Sequence, residues 1–179
     1  YMYIDCLWVS GKFKGQGYST LLLDECIKDS RAKGKKGLAV LSSPKKKPYL
    51  SDPDFLRYKG FQLADTAMPY YELLYLPFDK TSGKPQFREQ VKTPQSEQKG
   101  FVLYYSHQCP FTAKYVPLIE SLAKDKGVPF QTIRFESKDQ AQNAPSPFTT
   151  YSLFYNGTFL TNEILSEKKF EKILSEQNL

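Results

Sequence analysis

The chain has 179 residues, 40% hydrophobic and 15% aromatic, enough to bury the core of one ordinary domain or two small ones and characteristic of a globular protein. A formal charge of +6 favours anionic partners, but the lysines are spread over loops and helix faces, which suits an anionic cofactor better than a nucleic-acid duplex. Three scattered cysteines, Cys6, Cys26 and Cys109, form no disulfide framework, and no apolar run reaches the length of a membrane span, so the expectation is a cytoplasmic protein that meets neither membrane nor nucleic acid.

Tyr1 to Val9 is apolar on both faces apart from Asp5 and reads as an interior strand. A chain that opens directly in a strand, with no signal peptide before it, points to a fragment of a longer protein. Next comes Lys12-Phe13-Lys14-Gly15-Gln16-Gly17-Tyr18-Ser19, a glycine-bearing turn that leads into a helix over Tyr18 to Arg31. Leu21, Leu22, Leu23, Cys26 and Ile27 are expected on one broad apolar face of that helix, and Gly34 ends it. Leu38 to Leu41 is a short apolar strand, so the unit reads strand, turn, helix, strand. A helix capped by Asp52, with Pro53 at its first position, holds Phe55, Leu56, Arg57 and Tyr58 and stops at Gly60. Phe61 to Leu63 is extended, and Tyr71 to Leu76 is a further strand bounded by Pro77.

Residues 79–99 are rich in proline and polar groups and read as a linker or strap between a unit over 1–78 and a second over 100–179. The second opens with the strand Phe101 to Tyr105, which runs through Ser106-His107-Gln108-Cys109-Pro110-Phe111-Thr112 into a helix that Pro117 is expected to kink. A strand over Phe130 to Phe135 follows, then a strand over Tyr151 to Tyr155, an Asn156-Gly157 hairpin turn, and a last helix capped by Ser166.

A strand feeding a Gly-x-Gly turn and a helix aims backbone N–H groups and the positive end of the helix dipole at one spot where a phosphate can sit. The alternative is that the glycines only make a tight connection. Lys12-x-x-Gly15-x-Gly17, together with Phe55-Leu56-Arg57-Tyr58-Lys59-Gly60-Phe61 downstream, resembles the GNAT family of N-acetyltransferases over roughly Tyr1 to Phe78. The resemblance implies the acetyl-coenzyme A-binding half of an α/β acetyltransferase fold, a mixed sheet with flanking helices. It places the cofactor's pyrophosphate on the backbone from Phe13 to Ser19, beside Lys12, Lys14 and Gln16, and its pantetheine arm along Leu7, Trp8 and Val9. The acceptor would be an amine, in a small molecule or a peptide, and a homo-oligomer is left open. Where that family places a catalytic Tyr on the short helix, this chain has Leu56. Tyr58 lies about 200° around the helix from it and is expected to face elsewhere. Glu72 and Asp5 are the strand carboxylates near that chemistry, and both are expected to be solvated.

The second half resembles the thioredoxin-like fold, with Cys109-Pro110-Phe111-Thr112 similar to a glutaredoxin motif whose second cysteine is Thr112. The family's proline before the third strand falls on Thr149. These departures favour a module without dithiol chemistry over one in which Cys109 exchanges thiols. The run from Pro147 to Leu165 resembles the C-terminal domain of YoaP-like bacterial proteins, in which such a domain follows an acetyltransferase domain. Other residues have plainer readings: His107 as a solvated loop residue, Lys45-Lys46-Lys47 as a solvated loop or a partner for the 3′-phosphate of coenzyme A, Cys6 and Cys26 as core residues, and Tyr70, Tyr71 and Tyr75 as packing on the sheet or lining an acceptor cleft.

Overall fold

A β-α-β crossover organises the first of two units in the computed structural model, which describes residues 1–178. Strands β1 (Met2–Ile4) and β2 (Gly37–Ser42) pair in parallel, from Met2 opposite Leu38 to Ile4 opposite Val40. Parallel neighbours need a connection that recrosses the sheet, and helix α1 (Tyr18–Ala32) supplies it. After a short helix α2 (Pro53–Tyr58), strands β3 (Gln62–Ala67) and β4 (Tyr71–Pro77) complete an antiparallel half, giving the order β1-β2-β4-β3. The unit runs from Tyr1 to Arg88.

Its core is Ile4, Leu23, Leu38, Val40, Leu56, Phe61 and Leu74, with Cys26 and Ile27 packed against it. Each fully buried leucine or valine contributes about 1.5–3 kcal/mol relative to exposure. On α1 the inward stripe is Leu23, Cys26, Ile27 and Ser30, the i, i+3, i+4, i+7 pattern. Leu22 and Leu21 lie one and two residues before that stripe, at 100° and 200° around the axis, and they are 49% and 58% exposed. The broad apolar face expected over residues 21–27 is therefore narrower than the leucine run suggests.

The first strand also differs from expectation. It spans three residues, ends before a bend at Asp5, and forms the edge of its sheet, pairing with β2 alone among the described residues. Among the described residues β1 has no strand on its outer side, and Tyr3, Cys6 and Trp8 are exposed, so Cys6 is not a core residue.

In the second unit, which starts at Glu89, a short helix α3 (Glu89–Lys92) precedes strand β5 (Phe101–Tyr105). Helix α4 (Pro110–Asp125) crosses to strand β6 (Phe130–Arg134), which pairs with β5 in parallel from Phe101 opposite Phe130 to Tyr105 opposite Arg134. Then come a short helix α5 (Lys138–Gln142), strand β7 (Tyr151–Tyr155), strand β8 (Thr158–Thr161) and helix α6 (Glu167–Glu176). The sheet order is β6-β5-β7-β8, with β7 antiparallel to both neighbours. An aromatic cluster fills one side, with Phe170 edge-on to Phe101 and Phe130 at 5.5 and 5.4 Å between ring centroids. Helix α4 runs unbroken with Pro117 inside it. The chain is thus a mixed α/β protein with two mixed sheets.

Residues 79–99 divide between the units. Ser82 Oγ donates to the Lys36 carbonyl at 3.2 Å and the Phe87 amide donates to Asp65 Oδ2 at 3.0 Å, whereas Gln95 bridges to Thr158 and the Ser96 amide donates to the Gly157 carbonyl at 3.0 Å.

The Asn156-Gly157 turn takes the two positive φ angles, 46° and 84°, that a tight hairpin of this hand demands. A Cβ on Gly157 would stand 2.6 Å from the Ser96 carbonyl oxygen, and one on Gly127, also at positive φ, would meet nothing within 4 Å. Gly127→Ala should therefore cost about 1 kcal/mol of backbone strain, and Gly157→Ala clearly more, because Ser96 must also move. Urea unfolding of the two variants measures the difference; equal losses would rule out the contact with Ser96.

Candidate functional site

Between β1 and α1 the chain makes a single 3₁₀ turn, Gly11–Phe13, closed by the Phe13 amide on the Ser10 carbonyl at 2.9 Å. The Lys14 amide donates to the Gly11 carbonyl at 3.3 Å, and Gln16 Nε2 donates to the Lys12 carbonyl at 3.0 Å. Gly15 and Gly17 then adopt φ of 76° and 83°, left-handed values that glycine reaches without the penalty other residues incur. Gly17 is the N-cap of α1, and no side chain caps the helix. Its carbonyl accepts from the amides of Thr20 and Leu21 at 2.9 and 3.2 Å.

The consequence is a run of open donors. The amides of Gly15, Gln16, Gly17, Tyr18 and Ser19 have no acceptor among the described residues. All of residues 10–18 are exposed, and a Cβ placed on either glycine would face open space. The N-terminal amides of any helix lack intrahelical partners. Here two left-handed glycines extend the series backwards into the loop, and the dipole of a 15-residue helix adds partial positive charge. Phe13 and Lys14, by contrast, use their own amides in the 3₁₀ turn, so the open donors begin at Gly15.

The charge distribution points to the same unit. Residues 1–88 hold 15 Lys and Arg against 9 Asp and Glu, while the rest of the chain carries 10 of each. The entire net charge of +6 therefore belongs to the unit that contains the open amides.

Other residues singled out in the sequence take varied places. Leu7 and Val9 are half-buried and Trp8 is 67% exposed, all beyond the end of β1. On α2, Leu56 is buried in the core and Tyr58 is 82% exposed, so this helix directs no hydroxyl inward at the position of Leu56. Glu72 is buried rather than solvated, and its Oε2 accepts from Arg57 Nη2 at 2.5 Å, tying α2 to the start of β4. Arg57 itself is exposed, so it is loss of Arg57 that would leave a buried charge, the Glu72 carboxylate, uncompensated. Tyr71 and Tyr75 are buried in the sheet. In the lysine loop, Lys46 pairs with Asp52 at 2.7 Å, Lys47 lies 4.0 Å from the centre of the Tyr70 ring, and Lys45 is exposed.

In the second unit, Cys109 is the half-buried N-cap of α4. Thr112, which occupies the place of a second cysteine, is fully buried, and its hydroxyl lies 2.8 Å from each of the Ser106 and Cys109 carbonyls. That hydroxyl ties the strand end to the first helical turn. His107 is exposed beside Tyr105, in a cleft of about 370 Å³ at the carboxyl ends of β5 and β6 that also includes Gln108, Glu136 and Lys138. Among the described residues, no three His, Cys, Asp or Glu side chains gather as metal ligands, and no helix is long and apolar enough to cross a membrane.

Asp52 provides a pH-dependent contact next to the lysine loop. Its carboxylate is held below the usual range by Lys46, helped by the amides of Phe55 and Asp54 that it caps. A depressed carboxylate stabilises the fold at pH above its unfolded value, about 3.9, and that contribution is lost as the pH falls through the lower folded value. In an NMR titration, Lys46→Gln should move the Asp52 midpoint upward towards the ordinary value. An unchanged midpoint would remove Lys46 as the principal cause.

The YoaP-like family model matches residues 129–172, from the end of the α4–β6 connection into α6. Over 175 residues the chain is 44% identical to a protein of Bacillus subtilis (strain 168) named "Uncharacterized N-acetyltransferase YoaP", a match that covers 98% of this chain and 70% of that protein. No solved structure matches the chain. With that identity and coverage, the chain belongs to the YoaP-like family and is related along nearly its whole length to a protein named as an N-acetyltransferase.

Proposed function

We propose that the first unit binds acetyl-coenzyme A and serves transfer of its acetyl group to an amine, with the cofactor's pyrophosphate on the amides of Gly15 to Ser19. The observation that carries this reading is the series of five open N–H groups at the positive end of α1, in the unit that holds the net positive charge. A diphosphate presents several oxygens at the spacing of successive amides, and backbone donors with a helix dipole suit it without any dedicated side chain. Lys12 and Lys14, both exposed, add positive charge beside the loop. Leu7, Trp8 and Val9, between β1 and the loop, are the segment along which the pantetheine arm would run, and the acceptor is an amine in a small molecule or a peptide. The relative's name supports the reaction class. The fold in this reading is a GNAT-like acetyltransferase half, supported by the strand, glycine turn, helix, strand order ahead of the β3–β4 pair.

For the second unit the favoured reading is a thioredoxin-like module without dithiol chemistry. The β6-β5-β7-β8 order and Cys109 at the start of α4 support the fold, and the engaged Thr112 hydroxyl supports the absence of a local dithiol pair.

Thermal unfolding with and without coenzyme A tests the cofactor reading. Ligand at 100 times its Kd should stabilise the native state by about 2.7 kcal/mol, raising Tm by several degrees. Gly15→Asp should abolish that shift, because its carboxylate would oppose the pyrophosphate, while costing only about 1 kcal/mol of stability for a side chain at positive φ. A wild-type protein with no shift, or a Gly15→Asp variant with the full shift, would contradict the assignment.

A further inference from the structure

The open-amide loop is closed at its base by two aromatic rings that do not join the core. Phe13 ends the 3₁₀ turn and Tyr18 begins α1, so in sequence they bracket Gly15, Gln16 and Gly17, the loop part of the open-donor series. In space their ring centroids are 6.0 Å apart with planes at 90°, an edge-to-face pair. Both side chains are 42% exposed, and neither packs against the core cluster of this unit. Lys12 Nζ lies 4.9 Å from the centre of the Phe13 ring.

The geometry decides which ring has a face to offer. An edge-to-face pair covers one of the four ring faces, and Lys12 covers one face of Phe13. If the edge of Tyr18 abuts Phe13, both faces of Tyr18 remain uncovered by this pair; if the edge of Phe13 abuts Tyr18, one face of Tyr18 remains. Either way at least one face of the Tyr18 ring is left uncovered by Phe13, in a residue 42% exposed at the first helical position, next to its own open amide. An exposed ring beside a diphosphate cradle in a positively charged unit matches one chemical class: a nucleotide that carries a planar base together with its diphosphate.

We propose that Tyr18, held edge-to-face by Phe13, is a specificity residue that stacks on the nucleotide base of the bound cofactor. The proposal rests on the pyrophosphate reading given above and adds to it a side chain that distinguishes a nucleotide diphosphate from a bare diphosphate. Stacking on Tyr18 is sequence-tolerant in the sense that any planar base offers a face, whereas inorganic pyrophosphate offers none. Phe13 is the positioning residue, acting through Tyr18.

Calorimetric titration of the full chain with two probes, coenzyme A and inorganic pyrophosphate, separates the two parts of the site. Tyr18→Ala should weaken coenzyme A about tenfold, within the range measured for removing a base–aromatic stack, and leave pyrophosphate affinity unchanged. Tyr18→Phe, which keeps the ring, should retain wild-type affinity for both, and Phe13→Ala should weaken coenzyme A alone, by a smaller factor. Equal losses for the two probes, or no loss for either, would overturn the stacking role while leaving the amide cradle in place. A wild-type protein that binds neither probe would instead overturn the cradle, and the role of Tyr18 with it.

Discussion

Parallel pairing of strands adjacent in the chain is the constraint on which both halves of this protein depend. A parallel neighbour cannot be reached by a tight turn, so the chain must leave the carboxyl end of the first strand and recross the sheet before pairing. In the first unit β1, α1 and β2 do this, and in the second β5, α4 and β6 repeat it. Each crossover sets the start of a long helix after the end of its first strand. In one unit that start is the left-handed Gly17 with bare amides around it; in the other it is Cys109, backed by a buried threonine. The same topological requirement produces two helix termini built from different residues.

Neither helix has a side-chain cap on its amides; they differ in that a buried hydroxyl braces the turn at α4, whereas two left-handed glycines precede α1. At α4 the Thr112 hydroxyl ties the Ser106 and Cys109 carbonyls, a closed arrangement that fixes the turn. At α1 no side chain caps the helix, and the donors from Gly15 to Ser19 face solvent. Exposed amides at a helix terminus are hydrated at little cost, so their openness is compatible with stability and leaves them available to an anion that can replace the water. Placing the net charge in the same unit raises the local concentration of such anions.

Much of this was legible in the amino-acid order, for physical reasons that can be named. Gly15 and Gly17 stand where the chain must take positive φ, Asp52-Pro53 announces a helix start, and Asn156-Gly157 announces a hairpin; the structure has all three. Each of these is a local constraint that few other residues meet. What could not be read locally depended on neighbours. The apolar pattern through Val9 suggests a long interior strand, yet β1 stops at Ile4 because strand length and burial are set by partners rather than by the strand itself. Leu21 and Leu22 look like core residues until α1 is rotated to place Leu23 and Ile27 against the sheet. Glu72 looks like an exposed strand carboxylate, and only the fold brings Arg57 to it from fifteen residues away. The Phe13–Tyr18 pair has no periodic signature at all, since it arises from the loop closing on itself.

In the proposed reading the amides of Gly15 to Ser19 receive the pyrophosphate of coenzyme A. An NMR titration of uniformly ¹⁵N-labelled protein with coenzyme A observes those groups directly. The account predicts that the largest amide shifts fall on Gly15 through Ser19 and move in the direction of stronger hydrogen bonding, with the Phe13 and Lys14 amides, already bonded within the 3₁₀ turn, moving less. Shifts centred on the cleft around His107 and Lys138 in the second unit, with the α1 terminus unmoved at saturating ligand, would contradict it.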